Sequence, residues 1–274
     1  MARPQTKRRQ SRREREKAGN VKGAVLLSLA AIFAVGVGYF SWKANSEAVE
    51  LDKTTLCPTA GPTSVTAVVV DRTDTVTPVQ RQLLVDKFNE IRGAVPKYGL
   101  LEIYTVNPVQ ASVLKPEFSL CNPGDGSDLS HWTSNPRMAN RTWGTVFNAP
   151  LAAVLDGMLE ASEARQSPIL ETIQSVAATA FAPHDAVPRT LVVVSDLLQH
   201  SDNLSQYQGV RDFEELRKTP ALTRVKADLR EVDVRVLYIR RDTAKGVQGA
   251  AHIRFWQAYF ADQGATLSNA LSLF

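Results

Sequence analysis

Cysteine and histidine, the side chains behind most thiol and zinc chemistry, are scarce in this chain. There are two cysteines, Cys57 and Cys121, and neither sits in a recognisable nucleophile context. The four histidines, His131, His184, His200 and His252, are scattered, with no pair at zinc-ligand spacing. No glycine-rich phosphate loop follows an apolar run, and no internal repeat is visible. These absences weigh against a cysteine hydrolase, a zinc hydrolase and a P-loop nucleotide enzyme. Charge is missing altogether from one stretch, residues 23–42.

That stretch is the first thing the sequence does contain. Twenty residues in a helix span about 30 Å, the thickness of a bilayer's hydrocarbon core. Tyr39 and Trp42 lie at its far end, where aromatic side chains favour the membrane interface, and Lys22 and Lys43 bracket it. Residues 1–22 hold nine Lys or Arg and two Glu. The positive-inside rule then keeps the N-terminus in the cytoplasm and sends everything after Lys43 outside it. The expected organisation is a basic cytoplasmic tail (1–22), a transmembrane helix (23–42), a tether (43–63) with Pro58, Gly61 and Pro62, and a domain over 64–274. A cleaved signal peptide is the competing reading, but its apolar region would be about 7 to 15 residues long. Arg12-Arg13 has the look of a twin-arginine export signal, yet Arg15 and Glu16 stand where apolar residues belong. Ala30, Ala34 and Gly38 recur every four residues, which permits close helix packing and leaves an oligomer within the membrane open.

Beyond the tail, 252 residues carry 23 basic and 26 acidic side chains (32 minus 9, and 28 minus 2), a net charge near −3. No polyanion-binding signature remains, so nucleic acid is not an expected partner. The tail itself reads as a topology signal and an anionic-lipid contact. Both cysteines fall outside the membrane in this topology, where an even pair suggests a Cys57–Cys121 disulfide, two buried thiols being the alternative.

Along the domain, short Val-rich apolar runs alternate with helical patterns. Val65–Val70 reads as the first core strand, Leu100–Val106 as the next, Leu191–Val194 as the central one and Val234–Ile239 as another. A further short strand is placed at Phe118–Cys121. Thr77-Pro78 starts a helix to about Val95, with Thr77 as N-cap. Helices are also expected over Leu151–Ala164, from Pro168 to about Phe181, over most of Asp212–Val232 with Pro220 as a point of interruption, and over Ala250–Gln263 with Gly264 as its cap. In this last helix Phe255, Trp256, Tyr259 and Phe260 recur at the spacing of a core face. Asn122–Arg141 reads as a long polar loop, part of a loop-rich insertion near 108–150. The pattern predicts an α/β fold: a doubly wound, mostly parallel sheet with helices on both faces.

Two apolar runs end in acids. Asp71-Arg72-Thr73-Asp74-Thr75 follows the first strand and Asp196 follows the central one. Ligands of open α/β sheets bind beyond the carboxyl ends of strands. Alternating positions in a tight loop can turn Asp71, Thr73 and Thr75 toward one point. Carboxylate and hydroxyl oxygens in such a pocket suit a hard divalent cation.

On these residues the chain resembles the von Willebrand factor type A fold and its metal-ion-dependent adhesion site. Asp71, Thr73 and Thr75 match the family's Asp-x-Ser/Thr-x-Ser/Thr element. Ser167-Pro168-Ile169 is similar to the second element, with Ser167 in place of Thr, and Ser195-Asp196 matches the third. The resemblance spans about residues 64–274. It implies that Asp71, Thr73, Thr75, Ser167 and Asp196 hold Mg²⁺ or Mn²⁺, and that an acidic side chain of a protein partner completes the shell. Asp202 is a further candidate at second rank.

Three alternatives stand beside that reading. Asp71–Thr77 also resembles the phosphorylation motif of P-type ATPases, which belongs to the haloacid-dehalogenase fold; Asp71 would then be the nucleophile of a Mg²⁺-dependent phosphatase. Against it, Pro78 starts a helix at once and Asp74 replaces a glycine. His200, close to Asp196, could serve as a base. Trp132, Arg137, Arg141 and Trp143 form a candidate partner surface, because Trp and Arg are favoured at interface hot spots. The expectation from sequence is a protein-binding module, not an enzyme, in the bacterial inner membrane with its domain in the periplasm, serving an envelope-associated complex.

Overall fold

In the computed structural model, the structure describes residues 12–46, 49–73, 76–106, 114–129, 134–158, 164–202, 204–207 and 212–273. The chain falls into two compact units, Met1–Glu50 and Leu51–Phe274.

The first unit contains one helix, α1 (Arg12–Ser46). Among its large apolar side chains Leu26, Leu27, Ile32, Phe33 and Val35 are exposed. Among the described residues no helix is long and apolar enough to cross a membrane; the side chains of 12–22, Phe40 and 43–46 fall outside that description.

The second unit is a six-stranded sheet: β1 (Val65–Val70), β2 (Leu100–Thr105), β3 (Phe118–Cys121), β4 (Arg189–Ser195), β5 (Val232–Ile239) and β6 (Thr266–Leu273), in spatial order β3-β2-β1-β4-β5-β6. All neighbours are parallel except the edge pair β2–β3. β1 and β4 lie side by side at the centre, where the order reverses, with Val70 opposite Val194. That reversal opens a crevice beyond the strand ends.

The β-branched run of β1 suits a pleat buried on both faces. Val65, Ala67 and Val69 enter one apolar cluster with Ile169, Ile173 and Phe181, whereas Val68 and Val70 enter a second with Leu84, Phe88 and Phe147. Period-two alternation thus splits one strand between two cores, each fully buried Val or Leu contributing about 1.5–3 kcal/mol. Helices cover both faces: α2 (Pro78–Ala94), α3 (Pro136–Trp143), α4 (Ala149–Met158), α5 (Ile169–Val176), α6 (Phe213–Arg217), α7 (Pro220–Arg224) and α8 (Ala250–Asp262). α2 starts on a capping box in which the Thr77 hydroxyl accepts from the Gln80 amide and the Gln80 side chain accepts from the Thr77 amide. Phe255, Trp256, Tyr259 and Phe260 of α8 are core residues, and Gly264 follows at φ +82°.

Several expectations need correcting. Asp212–Val232 is not largely helical: Pro220 separates two five-residue helices, and the chain from Val225 to Glu231 runs irregularly into β5. There the Ala227 and Leu229 amides donate to the side-chain and backbone oxygens of Gln263, so a tertiary partner replaces the helical ladder. Asn122–Arg141 is not all loop, because Asn135 caps α3 through the Met138 amide. The helix from Ile169 widens into a π turn at Ala177–Phe181. Helix α4 is described to Met158, and 159–163 lie outside the described residues. β6 was not expected at all.

Residues 51–63, expected as tether, belong to the folded unit: Leu51 bridges Pro58, and the Asp52 carboxylate accepts from the Thr54 and Thr55 amides. Cys57 and Cys121 are disulfide-bonded, with Cα atoms 4.8 Å apart. Closing a loop of this sequence separation, 64 residues, stabilises by about 4 kcal/mol in the chain-entropy account.

Candidate functional site

Parallel pairing places the residues after β1 and β4 at one rim. The Asp71 amide donates to Val194 O (2.9 Å), continuing the ladder one step past β1 and setting Asp71 beside Ser195. Asp71 is buried, 6% exposed. Its Oδ1 accepts from the Thr73 amide (3.0 Å) and the Thr73 hydroxyl (2.7 Å), the geometry of an Asx turn. Its Oδ2 accepts from the hydroxyls of Ser167 and Ser195, each at 2.9 Å. Three hydroxyls from three separate stretches of chain therefore converge on one buried carboxylate. A hydroxyl that donates its proton keeps its lone pairs, so each oxygen can still face a cation.

Ser167 is held by backbone as well as side chain. Its amide donates to His200 O and its carbonyl accepts from the His200 amide (2.8 and 2.9 Å), an isolated two-strand bridge just before α5. The His200 ring meets the Ser205 hydroxyl at 3.0 Å and stacks edge-on to Tyr207. Asp202 accepts from the Gln166 side chain at 2.9 Å.

The loop after β4 is more constrained. Ser195 Oγ accepts from the Leu197 amide and Asp196 Oδ1 from the Leu198 amide. Leu197 sits at φ +59°, a left-handed conformation that costs a non-glycine residue about 1–2 kcal/mol. Its carbonyl is fixed by two donors from α8, His252 Nε2 (3.0 Å) and Trp256 Nε1 (2.9 Å), and Gln248 Nε2 donates to Asp196 O. Nε2 of His252 also faces Gln206 Oε1, so that nitrogen carries the proton while Nδ1 accepts from the Tyr238 hydroxyl at 2.8 Å. Burial lowers the pKa of His252. Burial first, and then the Asp196 carboxylate, push the Tyr238 phenol up to about 12. The Asp196 carboxylate itself, 2% exposed, receives the Arg241 Nε at 3.2 Å.

The structure thus brings Asp71, Thr73 and Ser167 into direct contact. It places Asp196 directly after Ser195, with its carboxylate on Arg241. Thr75 lies outside the described residues. Sequence reasoning missed Ser195 as an oxygen in the cluster and Arg241 as its neighbour. The Ser195-Asp196 pair at a strand end was the available signal for the first, whereas Arg241 comes from beyond β5 and only the sheet order reveals it. Among the described residues no group of three His, Cys, Asp or Glu could hold a metal; the oxygen set here is built from one carboxylate and hydroxyls, a chemistry that Mg²⁺ or Mn²⁺ accepts.

Of the candidate partner surface, Trp132 lies outside the described residues. Trp143 is half-buried, donates to Asn122 Oδ1 at 3.0 Å and lies under the Arg92 guanidinium, 5.6 Å from the ring centre. Arg137 and Arg141 are exposed one turn apart on α3. With Asn135, Met138, Thr142 and Thr145 they line a shallow depression of about 610 Å³.

No protein-family model matches the chain, and no curated protein matches it. Among solved structures it is similar to proximal thread matrix protein 1 of the mussel byssus: 11% identity, TM-score 0.35, 66% of this chain and 37% of that one. It is also similar to the conserved hypothetical protein BatB of Bacteroides thetaiotaomicron (11% identity, TM-score 0.37, 78% and 90% coverage). A third is an aerotolerance-related membrane protein of Bacteroides fragilis (12% identity, TM-score 0.32, 78% and 92% coverage). The chain spans little more than a third of the length of the mussel protein. Overlaps of this size establish neither family nor function.

Proposed function

We propose that this chain is a membrane-anchored, von Willebrand A-like protein-binding module whose rim beyond β1 and β4 takes a divalent cation. The observation that carries the reading is the convergence of the Thr73, Ser167 and Ser195 hydroxyls on Asp71. Asp71, Thr73 and Ser167, with Ser195, would hold Mg²⁺ or Mn²⁺; of the other two residues that the resemblance implies, Thr75 would join them, whereas the Asp196 carboxylate is engaged by Arg241. The bound ion supplies a positive centre for a carboxylate of a protein partner. What the chain's own residues do is fix the oxygens: Asp71 orients the hydroxyls, the His200 bridge holds Ser167, and α8 clamps the loop that follows Ser195. The exposed Arg137–Arg141 face of α3 is a second contact for such a partner, since Arg is enriched at interfaces and the depression contains no acid.

The anchor is proposed over 23–42, supported by the absence of charge there and by the exposed apolar side chains of α1. Charge asymmetry supports a folded unit outside the cytoplasm of a bacterium, and the disulfide fits an oxidising compartment. Work within an envelope complex follows from that placement.

The test is a thermal shift of the full chain in detergent with Mg²⁺ or Mn²⁺, then with EDTA. A site present only in the folded state raises the Tm with cation concentration. The expected result is a rise in wild type and none in Asp71→Ala. An equal rise in both would remove the Asp71 cluster as the site. Turnover of a generic phosphatase substrate, lost in Asp71→Asn, would instead revive the nucleophile reading.

A further inference from the structure

We infer that the groove between α2 and α4 binds a fatty acid, with its carboxylate on Arg92. The inference is independent of the cation reading above. Val85, Phe88, Asn89 and Arg92 recur at helical spacing along one face of α2. Leu151, Ala152, Leu155 and Asp156 repeat that spacing on α4 and form the opposite wall. The two helices run antiparallel: Arg81 donates to Asp156 at 2.8 Å near one end, and Arg92 donates to Asn148, just before α4, near the other. Phe88 and Leu151 are buried in the core beneath and make the floor, whereas Val85, 37% exposed, and Ala152 stand at the lip. The groove holds about 460 Å³, a volume typical of small-molecule sites. Along α2 it runs about 10 Å from Val85 to Arg92, so its mean width is about 7 Å, enough for an alkyl chain and too narrow for a third helix 10–12 Å across.

The two ends of the groove differ in charge. Asp156 is paired with Arg81. Arg92 has no carboxylate among the described residues: its side chain meets the Asn148 amide oxygen and the Trp143 ring, 5.6 Å from the ring centre, and both are neutral. Glu160 and Glu163, outside the described residues, come after Met158, beyond the Asp156 end in sequence. The ring and the amide fix the guanidinium without cancelling its charge. Its donor fork matches a carboxylate in two parallel hydrogen bonds. Asn89, one turn before Arg92, adds an amide donor at the same end. An apolar channel with one uncompensated cation at its end complements a single alkyl chain that terminates in an acid. The chain would cover Phe88, Leu151, Leu155 and the exposed Val85, and the acid would take Arg92.

The experiment is photolabelling of the full chain in phosphatidylcholine nanodiscs with a diazirine analogue of decanoic acid, the labelled peptides being mapped by mass spectrometry. Label is expected on residues 85–92 and 151–156. Decanoate should displace it about tenfold more effectively than decanol or decyltrimethylammonium, because only the acid gains a charge-assisted bond. Octanoate, with two fewer methylenes to bury, should be about tenfold weaker than decanoate. Arg92→Gln should erase the preference for decanoate over decanol, and Arg92→Lys should keep it in part, with circular dichroism to follow folding. Ala152→Trp fills the groove from its exposed lip and should abolish the label with Arg92 and its contacts intact. Label confined to other peptides, label that survives Ala152→Trp, equal displacement by the three decyl compounds, or a decanoate preference that survives Arg92→Gln overturns the inference.

Discussion

Asp71 and Asp196 sit one strand apart and are buried to nearly the same degree, yet they are stabilised by different means. Every hydrogen bond described at the Asp71 carboxylate comes from a neutral group: the Thr73 amide and three hydroxyls. Asp196 receives one amide and a guanidinium. The difference decides what each can do. Neutral donors satisfy a carboxylate without cancelling its charge, so Asp71 keeps its attraction for a cation. A guanidinium cancels the charge it satisfies, so Asp196 serves the architecture of the rim. Two acids that look equivalent along the chain thus differ in charge balance: neutral donors hold one, and a guanidinium engages the other.

The sharpest way to break this comparison is to remove the guanidinium. Arg241→Met takes the guanidinium from the buried Asp196 carboxylate, which costs about 3–5 kcal/mol, whereas replacing both residues with apolar groups is near neutral. Urea denaturation of Arg241→Met and of Asp196→Leu/Arg241→Met measures both. A loss under about 1 kcal/mol in the single variant would show that the pair is screened like a surface bridge. Next in size is Asp71→Ala, which strands the Thr73, Ser167 and Ser195 hydroxyls and the Thr73 amide. Their lost acceptor is worth about 2–3 kcal/mol in the same assay. If Asp71→Ala cost more than Arg241→Met, the assignment of the structural role would have to be reversed.

How much of this rim can be read from sequence depends on the range of the signal. The β1 and β4 ends, the Thr77 cap and the short β3 are legible because each is written in consecutive residues: a Val run followed by an acid, Thr before Pro, an apolar pair bracketing Ser119. β6 is not legible. Its sequence, Thr266–Leu273, mixes small, polar and apolar residues, and its described side chains are mostly exposed. Its ladder to β5 holds it, not burial, and the ladder leaves no mark in composition. The Val225–Glu231 segment misleads for a related reason. Its residues have adequate helix propensity, and a glutamine 36 positions away, the cap that follows α8, through its bond to Ala227, takes the amides instead. Arg241 belongs to the same class: nothing local distinguishes it from Arg240, and only the β4–β5 pairing brings it to Asp196.

A smaller perturbation separates the two serines. Ser167 and Ser195 donate to the same Asp71 oxygen at the same distance, but Ser195 also accepts the amide of the left-handed Leu197. Ser195→Ala should cost about 1–2 kcal/mol and Ser167→Ala about 1 kcal/mol or less, by urea denaturation. Equal losses would mean that the Leu197 turn is held by α8 alone.

The smallest effect is set by pH and tests whether the rim loosens from one side. His252 clamps the Leu197 carbonyl in its neutral form, and burial lowers its pKa below the ordinary value of 6.5. The unfolded chain therefore binds a proton that the folded one refuses. The stability from this residue is fully present above pH 6.5 and is lost as pH falls from there toward the lowered folded value, by at most about 1.4 kcal/mol per pH unit. Hydrogen exchange at pH 7 and pH 5.5, corrected for intrinsic rates, should show the Leu197 and Leu198 amides losing protection before that of Thr73. In His252→Gln the difference should vanish. Loss of protection at Thr73 first would place the weak point on the Asp71 side, where the hydroxyls and not the α8 clamp would govern the rim.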